Sequence, residues 1–333
     1  MSLFEFNNKE EKVHKIEADN CSTIYFGSPF FGSPQGKKID AYFLMDTNIF
    51  NNICKNDYSE TFNKFIEFAK HNRFELNPAF AISELYRTAE NPRGYVDYYK
   101  KHLCERFGII ISDDSIAKCC TLAEELVPVM KGNIELIEEY LAIVKEIYNN
   151  SLSEEQSVRK FLNIIKDKNL PQFAFMIFSG LIFIFVKHNV SNCESIRRKV
   201  DSFLSIGKDY VEEKRKLHNG ATDISIFLNV QEIAANSENF ECTVANIVTR
   251  DEVVAYLLEN LCIYSVKKIE SGKHSGMITP RNSTVWMYKF EQYKDDIKDK
   301  LNRQSSGSEK EIDIRKRNLK NQWFLSLQRY LSF

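Results

Sequence analysis

The run "AYFLM", Ala41 to Met45, holds five apolar or aromatic residues and leads straight into Asp46. It is too short and too continuous for an amphipathic helix, so it predicts a buried strand that ends on a negative charge. Ser59 is placed to cap a helix that carries Phe62, Phe65, Ile66 and Ala69 at helical spacing. "RFELN", Arg73 to Asn77, predicts a second strand, and Pro78 suits the first turn of a helix through "AFAISELYRTAE". Strand, helix, helix, strand, helix is the order of a parallel α/β sheet.

That rhythm lapses and then returns. Residues 95–215 are helical in pattern, most clearly at "IELIEEYLAIVKEIY", Ile134 to Tyr148. Residues 222–235 predict a helix capped by Thr222. "CTVANIVT" predicts a strand, "DEVVAYLLEN" a helix and "LCIYSVK" a strand. The expected architecture is therefore an α/β domain split by a helical insertion. Residues 1–37 form a leader whose two "FGSP" segments predict turns. Residues 38–94 and 216–267 form the two parts of the α/β domain, 95–215 the insertion and 268–333 a basic helical extension.

Charge is uneven along the chain although the formal net charge is −1. From Lys267 onward there are 15 Lys/Arg against 8 Asp/Glu, and the rest carries 30 against 38. A basic tail on an acidic body suits an anionic partner. Its last helix sets Trp323 and Phe324 among Arg315, Lys316, Arg317 and Lys320, a face fit to touch RNA, the protein's own core or a second subunit. The 8 cysteines show no CxxC pair and no zinc spacing, and no signal peptide is visible, which points to reduced thiols and a cytoplasmic location. "FAFMIFSGLIFIFV", Phe173 to Val186, falls short of the ~20 residues a membrane helix needs, so a buried helix and no membrane contact are expected.

Four acids occupy telling places. Asp46 ends the first strand, Asp251 follows "NIVT", Asp223 opens the helix after Thr222, and Glu84 sits inside a helix between Ile82 and Leu85. Sites in open parallel sheets lie beyond the carboxyl ends of strands, where Asp46 and Asp251 fall. Carboxylates gathered in one pocket repel one another unless a cation sits among them. Oxygen-only ligands suit Mg²⁺ or Mn²⁺. Each acid alone could equally be a helix cap or a solvated surface group.

"FLMDTN", "ISELYR", "ATDISI" and "IVTRDEVV", in that order, resemble the four acidic motifs of PIN-domain nucleases. The resemblance covers about residues 38–93 and 216–267. It implies a PIN-like parallel sheet flanked by helices and a metal-dependent nuclease, RNA ahead of DNA, of a kind that in bacteria includes toxins and defence effectors. It implies that Asp46, Glu84, Asp223 and Asp251 are catalytic and hold the metal, with Thr47, Asn48 and Thr249 supporting them. Metal-activated water would then attack a phosphodiester in line, leaving a 5′-phosphate and a 3′-hydroxyl. Arg87, Arg93 and Arg250 would hold flanking phosphates. The long insertion departs from a compact PIN domain, and Asp201 and Asp209 are alternatives to Asp223.

Two other readings share these residues. A PIN-like module could bind nucleic acid or a partner without cutting, and a regulatory protein or homo-oligomer is compatible with the added helices. A strand ending in aspartate also opens haloacid-dehalogenase-like phosphatases, with "GIIISDDS" as the later acidic pair. There the acid expected two residues after Asp46 is instead Asn48, which cannot transfer protons. Tyr95, Tyr98 and Tyr99 could stack on bases or simply pack a helix, and His218 reads as structural or exposed.

Overall fold

The computed structural model describes residues 13–17, 23–30, 41–54, 59–72, 74–171, 173–204, 206, 210–235, 244–268, 274–281, 284–301, 314 and 317. The chain is α/β in class and mostly helical, and it divides into two compact units. One comprises Met1–Gly132, Ser225–Glu259 and Ile263–Met277, and the other Asn133–Ile224, Asn260–Cys262 and Ile278–Phe333.

The first unit is built on a five-stranded sheet. Its strands are β1 (His14–Glu17), β2 (Thr23–Gly27), β3 (Ala41–Met45), β4 (Glu75–Asn77) and β5 (Val244–Thr249), in the order β1-β2-β5-β3-β4. β3 lies parallel to both β4 and β5, with Met45 opposite Val248. β1 and β2 run antiparallel, so the sheet is mixed where a wholly parallel one was expected. The reason lies in the leader. Alternating buried residues in "TIYFG" let β2 pair with β5 before the turn at Ser28 and Pro29, placing Tyr25 against Thr249. The second "FGSP" lies outside the described residues.

Helices α1 (Thr47–Cys54), α2 (Glu60–His71) and α3 (Ala79–Thr88) follow the expected order. Ser59 Oγ accepts the Phe62 amide at 3.2 Å and caps α2. Phe43, Phe50, Phe62 and Phe65 are fully buried with Leu103 and Ile116 in one core. Each such side chain contributes about 1.5–3 kcal/mol by leaving water.

"ENPRGY", residues 90–95, starts α4 (Pro92–Phe107): Asn91 caps it and Pro92 takes its first position. Tyr99 of α4 stacks on Phe50 at 4.7 Å, which ties this helix to α1 and to the first unit. The expected insertion thus loses its first third to the sheet unit. The divisions at 132/133 and 224/225 fall inside continuous helices, α5 (Asp113–Asn149) and α9 (Tyr210–Ala235). Thr222 is therefore no cap. It lies within α9, its hydroxyl donating to the His218 carbonyl at 2.9 Å.

The second unit packs the later part of α5 with α6 (Glu154–Asp167), α7 (Ala174–His188) and α8 (Val190–Phe203). A capping box between Ser153 and Gln156 starts α6. α10 (Glu252–Asn260) follows β5, and α11 (Met287–Gln292) and α12 (Lys294–Leu301) belong to the second unit. Glu154 accepts from Lys289 at 2.6 Å and from Tyr293 at 3.0 Å, pinning those last helices to α6. His218 has a partner, with Nδ1 3.2 Å from Glu138. "LCIYSVK" forms β6 (Leu261–Lys268), which pairs with β7 (His274–Pro280) in a separate two-stranded sheet. Both edges of β5 are taken, one by β2 and the other by β3. Apart from Ile314 and Arg317, the basic helix expected at 312–333 lies outside the described residues.

α7 is the apolar run, buried from Phe175 to Val186 except at Phe178. Among the described residues no helix is long and apolar enough to cross a membrane. Its packing depends on Gly180, where a Cβ would sit 2.7 Å from Phe161 Cζ and 2.9 Å from Val144 Cγ2. Gly180→Val is expected to lower stability by about 2–3 kcal/mol through overpacking. A urea midpoint unchanged from wild type would show that Phe161 can swing aside.

Candidate active site

Asp46 and Asp251 meet because β3 and β5 are parallel neighbours in register. The Asp46 amide continues the ladder, donating to the Val248 carbonyl at 3.0 Å, and both chains leave the sheet at the same end. Each acid then caps the helix that follows. Asp46 Oδ1 accepts the Ile49 amide at 2.8 Å. Asp251 Oδ1 accepts the Val253 and Val254 amides, both at 2.8 Å. The bland reading of each residue as a helix cap is thus correct as far as it goes.

Capping does not account for the rest. Asp46 is only 5% exposed, and its Oδ2 accepts the Thr249 hydroxyl at 2.5 Å and the Arg250 amide at 3.4 Å. The same hydroxyl accepts the Asp251 amide at 2.9 Å, so Thr249 links the two acids. Burial pushes the Asp46 carboxyl up to about 6. The bonds from Thr249, Ile49 and Arg250 oppose that rise, and the Asp251 charge adds to it. A cap alone requires neither burial nor a second acid. Buried carboxyls shifted toward neutrality beside a like charge are typical of functional sites.

Glu84 reaches the same corner indirectly. It is half-buried on α3 between the buried Ile82 and Leu85, and accepts a hydrogen bond from the Thr47 hydroxyl, one residue after Asp46. Thr47 and Thr249 therefore hold acids, while Asn48 is exposed. Arg250 adjoins Thr249. Arg87 is half-buried one turn beyond Glu84. Arg93 is exposed at the start of α4 and hydrogen-bonded to Tyr86.

Asp223 does not open a helix. It lies mid-helix in α9 and belongs to the second unit, so the helix start that singled it out does not exist. Of its alternatives, Asp201 accepts the Tyr148 hydroxyl at 2.6 Å, and Asp209 lies outside the described residues. Asp113 and Asp114, the acids of "GIIISDDS", are exposed at the start of α5, with Asp113 paired to Lys100.

Among the described residues no group of three or more His, Cys, Asp or Glu is disposed to hold a metal ion. A closed cage of carboxylates does not fit this site. A pair does: Mg²⁺ commonly keeps several waters and takes one or two carboxylates plus substrate phosphate oxygens. Asp46 and Asp251 are a hard, oxygen-only pair with mutual repulsion that a cation would relieve. No family model matches the chain, and comparison with curated proteins and with solved structures finds no match either.

Proposed function

We propose that this chain is a PIN-like endonuclease that hydrolyses phosphodiesters, RNA ahead of DNA, with Mg²⁺ or Mn²⁺. The observation that carries this reading is the buried Asp46 carboxylate, held by Thr249 beside Asp251 at the carboxyl ends of two parallel strands. Sites of open α/β sheets occupy that position.

Asp46 and Asp251 would hold the ion, with Glu84 bearing on it from the Thr47 side. Such an ion lowers the pKa of a bound water and offsets charge on the phosphate. The chain's own residues set the conditions. Thr249 fixes Asp46 Oδ2 and the Asp251 backbone together, so the two carboxylates keep one spacing. The Ile49 amide holds the other Asp46 oxygen, which fixes the plane of the carboxylate. Burial strips Asp46 of water and makes its negative charge costly without a cation. Arg250 and Arg87 supply positive charge for flanking phosphates.

One observation favours the rival, a PIN-like module that binds without cutting: the described residues bring no third acid into ligating position. Cleavage of labelled single-stranded RNA and DNA with Mg²⁺, Mn²⁺ or EDTA separates the two. The wild type is expected to cut RNA only with metal. Asp46→Asn is expected to reduce that rate by about 10³-fold or more, the scale of losing about 4 kcal/mol of charge stabilisation. A folded Asp46→Asn protein that cuts at the wild-type rate would sink the nuclease reading. Binding without cutting in every condition would favour the rival.

A further inference from the structure

We infer that the groove between α1 and α4 binds a nucleobase of a single-stranded substrate whose phosphate lies at Asp46 and Asp251. This rests on the nuclease reading for its place in the reaction, but not for its chemistry. The groove has a volume of about 340 Å³ and is lined by Asn51, Cys54, Asn91, Gly94, Tyr95 and Tyr98.

Three tyrosines on α4 divide their work by helical position. Tyr99 is fully buried against Phe50 and anchors the helix. Tyr95 and Tyr98, one turn apart, are instead 45% and 60% exposed. Tyr98 is backed by His102, whose ring stacks on it at 5.9 Å and 28°. Large aromatic faces left in water at the rim of a groove, on a helix anchored from beneath, are suited to stacking.

The opposite wall continues from the candidate active site. Thr47, Asn51 and Cys54 share one face of α1, so Asn51 lies about 6 Å and Cys54 about 10 Å along the axis from Thr47. Thr47 holds Glu84 and directly follows Asp46. A strand with a phosphate at Asp46 therefore passes this groove with a neighbouring base.

The lining selects the occupant. None of the six residues carries a charge at neutral pH: burial pushes the Cys54 thiol up to about 12, so it stays protonated and is no nucleophile. None of the six lining residues offers a phosphate a cation. Flat rings with two carboxamides, Asn51 and Asn91, match a base, which offers a π-face to stack and an edge to hydrogen-bond. Gly94 keeps the Asn91 carboxamide folded over the start of α4, since a Cβ there would come 2.8 Å from Asn91 Nδ2.

The test is anisotropy titration of the full chain in EDTA, using a labelled single-stranded RNA, its DNA counterpart and an abasic sugar-phosphate strand of equal length. Wild type is expected to prefer a base-bearing strand over the abasic one by at least about tenfold. Tyr95→Ala/Tyr98→Ala erases that preference, while Tyr95→Phe/Tyr98→Phe keeps it within about twofold because the rings remain. Both positions are exposed, so circular dichroism of the variants should match wild type. Equal affinity of wild type and the alanine pair for the base-bearing strand overturns the subsite, as does failure of wild type to bind any single strand. Cleavage by Asp46→Asn is scored separately: its survival ends the nuclease reading, while the titration still decides whether a base is bound.

Discussion

Lys145→Ala is expected to cost the second unit about 3–5 kcal/mol, the usual penalty for stranding one charge of a buried pair. Lys145 Nζ lies 2.7 Å from Glu213 Oε1, and the two side chains are only 3% and 5% exposed. Burial pulls the Lys145 ammonium below its ordinary range while Glu213 pulls it back. Glu213 Oε2 has no hydrogen-bond partner among the described residues, so half of that carboxylate already depends on the ammonium alone for compensation. Removing Lys145 leaves the buried Glu213 carboxylate without its counter-charge. The double replacement Lys145→Met/Glu213→Leu removes both desolvation costs and is expected to match or exceed wild-type stability. Urea unfolding followed by circular dichroism measures both, with each transition fitted separately because the chain has two compact units. A single-variant loss under about 1 kcal/mol would mean that water reaches the pair.

What the sequence disclosed, and what it hid, follows from the range of the interactions. β3, α2, α3, β5 and α7 were legible because each is set by its own residues: an unbroken apolar run, a serine cap, a proline just before the first turn. The meeting of Asp46, Thr249 and Asp251 was legible for a related reason. Both acids directly follow apolar strands, and parallel neighbours end on the same side. Burial of Asp46 and its bond to Thr249 add what sequence could not supply, since they join residues 203 apart.

The failures are equally local in cause. β2 sits in a leader that looked like turns, and its partner β5 is more than 200 residues away. Thr222-Asp223 has the chemistry of a helix start, yet a threonine inside a helix can satisfy its hydroxyl on the carbonyl four residues back, as Thr222 does. The unit divisions left no Pro/Gly linker because they cross α5 and α9 without breaking them. Pro128 and Gly132, just before the first division, fall within α5 and do not end it. The tyrosines of α4 were ambiguous because helical spacing fixes which residues share a face, not which face is covered.

Asp46→Asn is expected to make the metal-free protein more stable at pH 7, by about 3 kcal/mol. The carboxyl rises from an ordinary 3.8 to about 6, and each pH unit of that gap is worth about 1.4 kcal/mol. A folded state that holds its proton more tightly than the unfolded chain loses stability as pH rises from about 4 through about 6, then levels off. Wild type should therefore be less stable at pH 7.5 than at pH 5 by part of this amount, over a window in which the asparagine variant lacks the slope. Asparagine keeps the oxygen that accepts the Ile49 amide, and the Thr249 hydroxyl can turn to accept from the new amide group. The remaining cost is the Arg250 amide, which loses an acceptor at 3.4 Å. Added Mg²⁺ should reverse the ranking, stabilising wild type by binding only its folded form and leaving the variant unchanged. Thermal unfolding of both proteins at pH 5, 6 and 7.5, with and without Mg²⁺, reads every term. A difference between them that stays constant across pH would show that Asp46 does not titrate in this range. A pH-dependent difference without any Mg²⁺ response would leave Asp46 a strained cap and remove the metal from the site.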